Sequence, residues 1–263
     1  MRRAAIIAAL AVVVPTTYAL ERAQYLMGTV CEVAAGGNNA EAQIEAAFAE
    51  AKRVEGMLST WIADSELSRV NRGAAPGPEL RALLDLTAEW TKKTNGTFDP
   101  RWSGKGYDPG AFGKGYALDR MLALTTGDAL IDFGGQLIVR GEHEVAIADP
   151  ADRDKPVLAL TIHDVSLATS SGSEKPGHIF DPRTGQALPP RGSVSVIADD
   201  ALTADILSTA LFVMGEDEGL RWADANGVAA IFINPSQHVR LSAKARERAR
   251  GLSLLDRNFR MKE

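Results

Sequence analysis

The apolar residues of this chain change their period along its length, and that change limits the fold more than any single motif. Ile44, Phe48, Ala51, Val54 and Leu58 recur at helical spacing over 40–58, with Asn38 or Asn39 placed to cap the helix. A second amphipathic helix starts near Glu79, runs through Leu80, Leu83, Leu84 and Ala88, and stops at Asn95-Gly96. A third covers 116–124. Strand-like runs occupy 29–35, 129–133, 137–139, 144–147, 157–162, 165–168 and 194–197, punctuated by Gly, Pro and Asp. Helices return at 202–214 and near 220–225. A strand pair follows at 228–233 and 239–241, and the tail from Ala243 reads as a surface helix. This order predicts an α+β fold and excludes a regular βαβ series. No linker divides residues 20–263, so one domain is expected.

With 263 residues the chain can bury a core without disulfides, and its lone Cys31 sits in a strand pattern as a buried thiol. The net charge of −5 argues against nucleic acid as a partner and against a membrane surface bound directly. Residues 1–19 stand apart. Arg2 and Arg3 precede the apolar run 4–14, and small residues occupy positions 17 and 19. That pattern predicts a signal peptide cleaved after Ala19 and a periplasmic location, with an uncleaved anchor as the alternative.

Two segments about ninety positions apart carry the chemistry. Asp108-Pro-Gly-Ala-Phe-Gly-Lys-Gly-Tyr-Ala117 is a glycine-rich turn that opens a helix. Backbone amides at such a helix start favour phosphate, and Lys114 adds a point charge. It is not a Walker A loop, because Asp108 stands at the first glycine position and Gly115 at the hydroxyl position. Thr203-Ala-Asp-Ile-Leu-Ser-Thr209 sets Asp205, Ser208 and Thr209 on one helical face. One carboxylate with hydroxyls suits Mg²⁺, which keeps waters or phosphate oxygens as its remaining ligands. Each segment also has a plainer reading: a simple turn for the first, helix capping for the second. Ala168-Thr-Ser-Ser-Gly172 is a hydroxyl-rich turn, and His178 is placed to act as a general base. Asp181-Pro-Arg-Thr-Gly185 fits a β-turn. Trp61, beside Ser59 and Thr60, fits either ring stacking or core packing, and Asp64-Ser65 caps a short helix.

Taken in order, these pieces resemble the FAD:protein FMN transferase family, also called the ApbE family. The matching segments are Met27-Gly-Thr29, Leu58-Ser-Thr-Trp61 with Asp64-Ser-Glu-Leu-Ser-Arg69, Gly96-Thr-Phe-Asp99, Gly113-Lys-Gly-Tyr-Ala117, Gly134-Gly135, Ala168-Thr-Ser170, His178-Ile-Phe-Asp-Pro-Arg-Thr-Gly185, Ser193-Val-Ser-Val-Ile197 and Ala204-Asp-Ile-Leu-Ser-Thr-Ala-Leu-Phe212. They run from about residue 25 to residue 234.

The resemblance implies an ApbE-like, T-fold-like domain of antiparallel sheet and packed helices. It implies an exported enzyme that binds FAD and Mg²⁺, transfers FMN to a threonine of a flavin-carrying subunit of a membrane redox complex, and releases AMP. Any membrane contact would come through that acceptor. Carried over by position, Mg²⁺ would be held by Asp205, Thr209, Ser208 and the Ala111 carbonyl. Asp108 and Lys114 would contact FAD, and Met27, Trp61, Thr97, Phe98, Asp99 and Ile179 would line its ring pockets. His178 and Asp205 would be the catalytic pair. Two alternatives use the same site: FAD hydrolysis to FMN and AMP, and FAD binding without turnover. The chain departs from the family pattern in one connection. Only eight residues separate Asp99 from Asp108, where the family has a much longer segment. Asp132 and Gln136 also replace the usual Asn and acidic choices around Gly134-Gly135.

Overall fold

Helix and strand form where the apolar period changes. In the computed structural model, which describes residues 11–13, 20–172, 177 and 179–262, the chain begins with β1 (Ala11–Val13), β2 (Leu20–Leu26) and β3 (Thr29–Ala35). Then come α1 (Ala40–Leu58), α2 (Glu66–Asn71), α3 (Pro78–Lys93), a 3-10 turn (Pro109–Ala111) and α4 (Gly113–Leu122). The middle is strand: β4 (Ala129–Phe133), β5 (Leu137–Arg140), β6 (Glu142–Asp149), β7 (Asp152–His163), β8 (Ser166–Ser171), β9 (Phe180–Asp181), β10 (Gln186–Ala187) and β11 (Ser193–Ala198). The last part holds α5 (Ala201–Met214), α6 (Glu216–Ala225), β12 (Ala229–Ile233), β13 (His238–Leu241), α7 (Ala243–Arg248), β14 (Arg250–Leu254) and β15 (Arg260–Met261).

Nine strands form the main sheet, in the order β15-β13-β12-β11-β8-β5-β4-β3-β2. Its ladders are antiparallel except for β13 with β15. The pleat sends alternate side chains to opposite faces. Val194, Val196, Ala230 and Phe232 pack with Leu207, Leu211 and Phe212 of α5, and Ile131 and Phe133 pack with α1 and α4. Their neighbours Leu130, Ile197, Ile231 and Ile233 face the other way, against Val145, Ile147, Leu158 and Leu160 of a second sheet, β1-β6-β7-β14. The molecule is therefore three layers deep: helices, nine-stranded sheet, four-stranded sheet. Central strands buried on both faces read as continuous apolar runs, as β12 does, and as β4 does but for Asp132.

The α+β expectation holds, and three local expectations are corrected. Asn39 occupies the N-cap of α1 but makes no side-chain capping bond. Helix α4 begins at Gly113, inside the glycine turn and three residues before the expected start, and its third residue, Gly115, lies against the first turn of α5. The tail is helical only to Arg248; Arg250–Leu254 instead pairs with the free edge of β7, where ladder hydrogen bonds outweigh local propensity. Cys31 is fully buried, which pushes its thiol well up. Of the segment read as an export signal, only Ala11–Val13 is described, paired with Val145–Ile147.

Candidate active site

The site lies where α4 and α5 cross on the helical side of the main sheet. The N-terminus of α5 is capped twice. Asp200 Oδ1 accepts from the Thr203 amide at 2.7 Å, and the Asp119 carboxylate of α4 accepts from the amides of Ala201 and Leu202 at 2.7 and 2.9 Å. Asp205 is thus released from capping and sits one turn in, buried, its Oδ2 accepting from the Gly115 amide at 3.0 Å. Only glycine permits this approach. A Cβ on Gly115 would lie 2.4 Å from the Ala201 carbonyl oxygen and 2.8 Å from the Asp205 Cβ. This hydrogen bond ties together two segments ninety positions apart in the chain.

Around it the donors are ordered in layers. Ser208 Oγ donates to the Asp205 carbonyl at 3.0 Å and pairs with Ser170 Oγ of β8 at 2.9 Å, so it buttresses the helix from behind. Ser170 Oγ is also 3.3 Å from Thr209 Oγ1. Gln136, after the Gly134-Gly135 turn, donates through Nε2 to the Ala201 carbonyl at 3.0 Å. That bond fixes the amide orientation and leaves Oε1 buried with no hydrogen-bond partner among the described residues. Burial pushes the Asp205 carboxyl up to about 6, against the pull of Lys114, the Gly115 amide and the Gln136 side chain. Burial also raises Asp132 to about 7, although the Gly135 amide bonds its Oδ1 at 2.8 Å and Lys114 is near. Lys114 is the positive charge that both carboxyls face.

Two clefts meet at the glycine turn. The inner one, about 170 Å³, is lined by Thr97, Phe98, Asp99, Asp108, Ala111, Lys114, Gln136, Ile179, Asp205 and Thr209, together with Thr169, Ser170 and Ser171 of β8. The outer one, about 610 Å³, is lined by Met27, Glu55, Ser59 and Trp61 and shares Asp108, Gly110 and Lys114 with the first. Met27 and Gly28 form the two-residue turn of the β2–β3 hairpin, with φ of 47° and 81°. The Met27 amide donates to Glu55 Oε1 of α1 at 2.8 Å, which fixes this rim. Trp61 is 96% exposed, so its core-packing reading falls away.

Eleven of the predicted site residues therefore line one cleft or the other: Met27, Trp61, Thr97, Phe98, Asp99, Asp108, Ala111, Lys114, Ile179, Asp205 and Thr209. Ser208 stands behind them. His178 lies outside the described residues; its neighbours Ile179 and Phe180 line the inner cleft. Asp108 also has a local task, since its Oδ1 caps the 3-10 turn through the Gly110 amide at 2.9 Å. The Asp181 segment is the expected β-turn, closed by the Thr184 amide on the Asp181 carbonyl at 3.1 Å, with the Gly185 amide on the same carbonyl at 2.8 Å, and Ser65 caps α2. The short connection before Asp108 is well anchored. Asn71 bonds both the amide and the carbonyl of Tyr107, at 2.8 and 2.9 Å, and the Asp108 amide reaches the Pro100 carbonyl at 2.7 Å. Sequence reasoning did not foresee Asp119, Trp102 or Phe180. Only Trp102 carried a signal, as an aromatic inside the shortened connection.

The ApbE family model matches residues 27–105 and 103–232. The chain belongs to the ApbE family. It is 27% identical to a FAD:protein FMN transferase of Treponema pallidum over 90% of each chain. It is 33% identical to one from Klebsiella pneumoniae and 36% identical to one from Rhodobacter capsulatus. Those two matches cover 54% and 52% of this chain, and only 49% and 31% of the relatives. Among solved structures, the ApbE protein of Thermotoga maritima superposes with a TM-score of 0.79 at 21% identity, over 88% of this chain and 99% of that one. The apo flavinyl transferase ApbE of Pseudomonas stutzeri gives 0.75 at 22%, over 88% and 97%.

Proposed function

We propose that this ApbE-family protein is an FAD:protein FMN transferase that works with Mg²⁺ and modifies a threonine of an exported, flavin-carrying redox protein. The observation that carries the reading is the contact of Gly115 with Asp205. It sets a phosphate-favouring helix start and its lysine beside a buried carboxylate and a threonine hydroxyl.

The donor set fits Mg²⁺. Mg²⁺ needs only one or two protein carboxylates and keeps waters and substrate phosphates as its other ligands. Asp205, Thr209 and the Ala111 carbonyl are hard oxygen donors around one cleft, and Gln136 Oε1 is a spare buried acceptor for a coordinated water. Bound there, Mg²⁺ would neutralise charge on the pyrophosphate. Lys114 would bind the same phosphates, and the α4 amides would orient them. His178 would take the proton of the acceptor hydroxyl as its oxygen bonds to the phosphorus on the FMN side. The bond from that phosphorus to the bridging oxygen then breaks, and AMP leaves with the oxygen. Positioning and electrostatics supply most of the rate in such phosphoryl chemistry.

The test is a flavinylation assay with FAD, Mg²⁺ and an acceptor domain carrying the threonine. A fluorescent acceptor band with stoichiometric AMP is expected. AMP and free FMN without a band would assign FAD hydrolysis instead. Bound FAD with neither product would leave a flavin-binding protein.

A further inference from the structure

The inner cleft has an aromatic wall of which one half, Trp102, lies outside every sequence motif, while the other, Phe180, belongs to the segment 178–185. Trp102, from the short connection before the glycine turn, stacks on Phe180 of β9 with ring centroids 4.2 Å apart and planes 14° from parallel. Both rings line the cleft. Polar lining comes from Thr169, Ser170 and Ser171 of β8. The Trp102 indole N–H points to Asp108 Oδ2 at 3.3 Å, and the other oxygen of that carboxylate holds the Gly110 amide. One side chain therefore links an aromatic surface to the turn that presents Lys114.

The layout of the clefts says which ring belongs there. A dinucleotide carries a ring system at each end and a pyrophosphate between them. Lys114, Asp108 and Gly110 form the wall common to both clefts, the place for the pyrophosphate. The three-ring isoalloxazine needs the wider outer cleft of about 610 Å³, beside Met27 and Trp61. The two-ring purine fits the inner one of about 170 Å³.

We propose that Trp102 is a specificity-determining residue: with Phe180 it forms the aromatic wall on which the adenine ring of FAD stacks. This rests on the reading of FAD as substrate. Stacking on an aromatic side chain tolerates many partners but requires a flat face, so Trp102 selects for the base and not for the phosphates.

The test is equilibrium binding of FAD, ADP, FMN and inorganic pyrophosphate, each with Mg²⁺, to the wild type and to Trp102→Phe and Trp102→Leu. Leucine keeps apolar bulk without a ring face; phenylalanine keeps the face without the indole N–H. Melting curves check that both fold. For Trp102→Leu, FAD and ADP should weaken by roughly ten-fold while pyrophosphate and FMN stay within about two-fold. Trp102→Phe should recover most of the ADP affinity. Unchanged ADP binding in the leucine variant would overturn the proposal. So would an equal loss for pyrophosphate, which would mean that Trp102 acts only through Asp108, or a loss confined to FMN. Failure of the wild type to bind FAD or ADP at all would remove the substrate reading, and the proposal with it.

Discussion

The two clefts on either side of Lys114 are built in opposite ways. The inner cleft is cut into packed structure. Asp205, Gln136 and Ser208 are buried, and each is held by hydrogen bonds to a neighbouring element or to its own helix. The outer cleft is a rim: Trp61 and Ile62 are exposed, and one amide–carboxylate bond from Met27 to Glu55 ties the hairpin to α1. A buried polar network is costly to disturb, whereas an exposed ring can be exchanged with little effect on folding. The inner cleft should therefore couple stability to chemistry, and the outer cleft should separate them.

The sharpest way to break the inner cleft is Gly115→Ala. The added methyl would meet backbone of α5, which cannot swing aside as a side chain could, so α4 and α5 must part. A loss of about 3 kcal/mol in a urea melt is expected, with flavin transfer falling more than about a hundred-fold. Wild-type stability and transfer in this variant would mean that the two helices do not meet as described.

Asp205→Asn separates the two effects. Transfer should fall about a hundred-fold or more, because the proposed anionic metal ligand and the charge facing Lys114 both disappear. The apo protein should nevertheless melt a few degrees higher at pH 8. Burial raises the folded pKa of Asp205 to about 6, so its ionised form weighs against folding above that pH. Asparagine keeps an oxygen for the Gly115 amide without that charge. A lower melting point for the variant at pH 8 would contradict the account of Asp205 as a desolvated anion.

The same argument sets a pH profile. Asp119, Asp132 and Asp205 have folded pKa values raised to about 6, 7 and 6 by burial. Between their ordinary values near 3.8 and these raised ones, the folded state holds more protons than the unfolded state. Stability of the apo protein therefore falls as pH rises from 5 to about 7, then levels. Glu50 is shifted the other way, to about 2, mainly by its Arg53 hydrogen bond, so its contribution is lost only below that window. In the proposed metal site Mg²⁺ would need ionised Asp205, so the rise in melting temperature on adding Mg²⁺ should be small at pH 5 and full by pH 7.5. Thermal melts with and without Mg²⁺ across this range check both slopes; a Mg²⁺ effect independent of pH would remove Asp205 from the ligand set.

How much of this was legible in the sequence depended on whether a residue's task was local. Strands buried on both faces, such as Ala229–Ile233 and, apart from Asp132, Ala129–Phe133, announce themselves as apolar runs. Leu20–Leu26 does not, because only Leu26 is buried and the strand owes its place to pairing across the Met27-Gly28 turn. Lys114, Asp205 and Thr209 were visible because their residue types and spacing suggest phosphate and metal chemistry. Asp119 was not, since a carboxylate in the middle of one helix gives no sign that it caps another 82 positions away. Trp102 and Phe180 stack across a gap of seventy-eight positions that periodicity cannot bridge.

The smallest effect on folding should come from Trp61→Ala, at the outer rim. Trp61 is 96% exposed, so removing its ring takes almost no packing away, and stability should stay within about 0.5 kcal/mol of the wild type. The ring nevertheless stands at the mouth of the larger cleft beside Met27, where an isoalloxazine would gain stacking contact on entry. Affinity for FAD and for FMN should fall by roughly ten-fold, while affinity for ADP remains. Set beside Trp102→Leu, this gives a reciprocal pattern: one variant loses the flavin end and the other the adenine end, each with the pyrophosphate contact intact. If Trp61→Ala instead weakened ADP and spared FMN, the assignment of rings to clefts would be reversed, and the inner cleft would have to open to admit the wider ring.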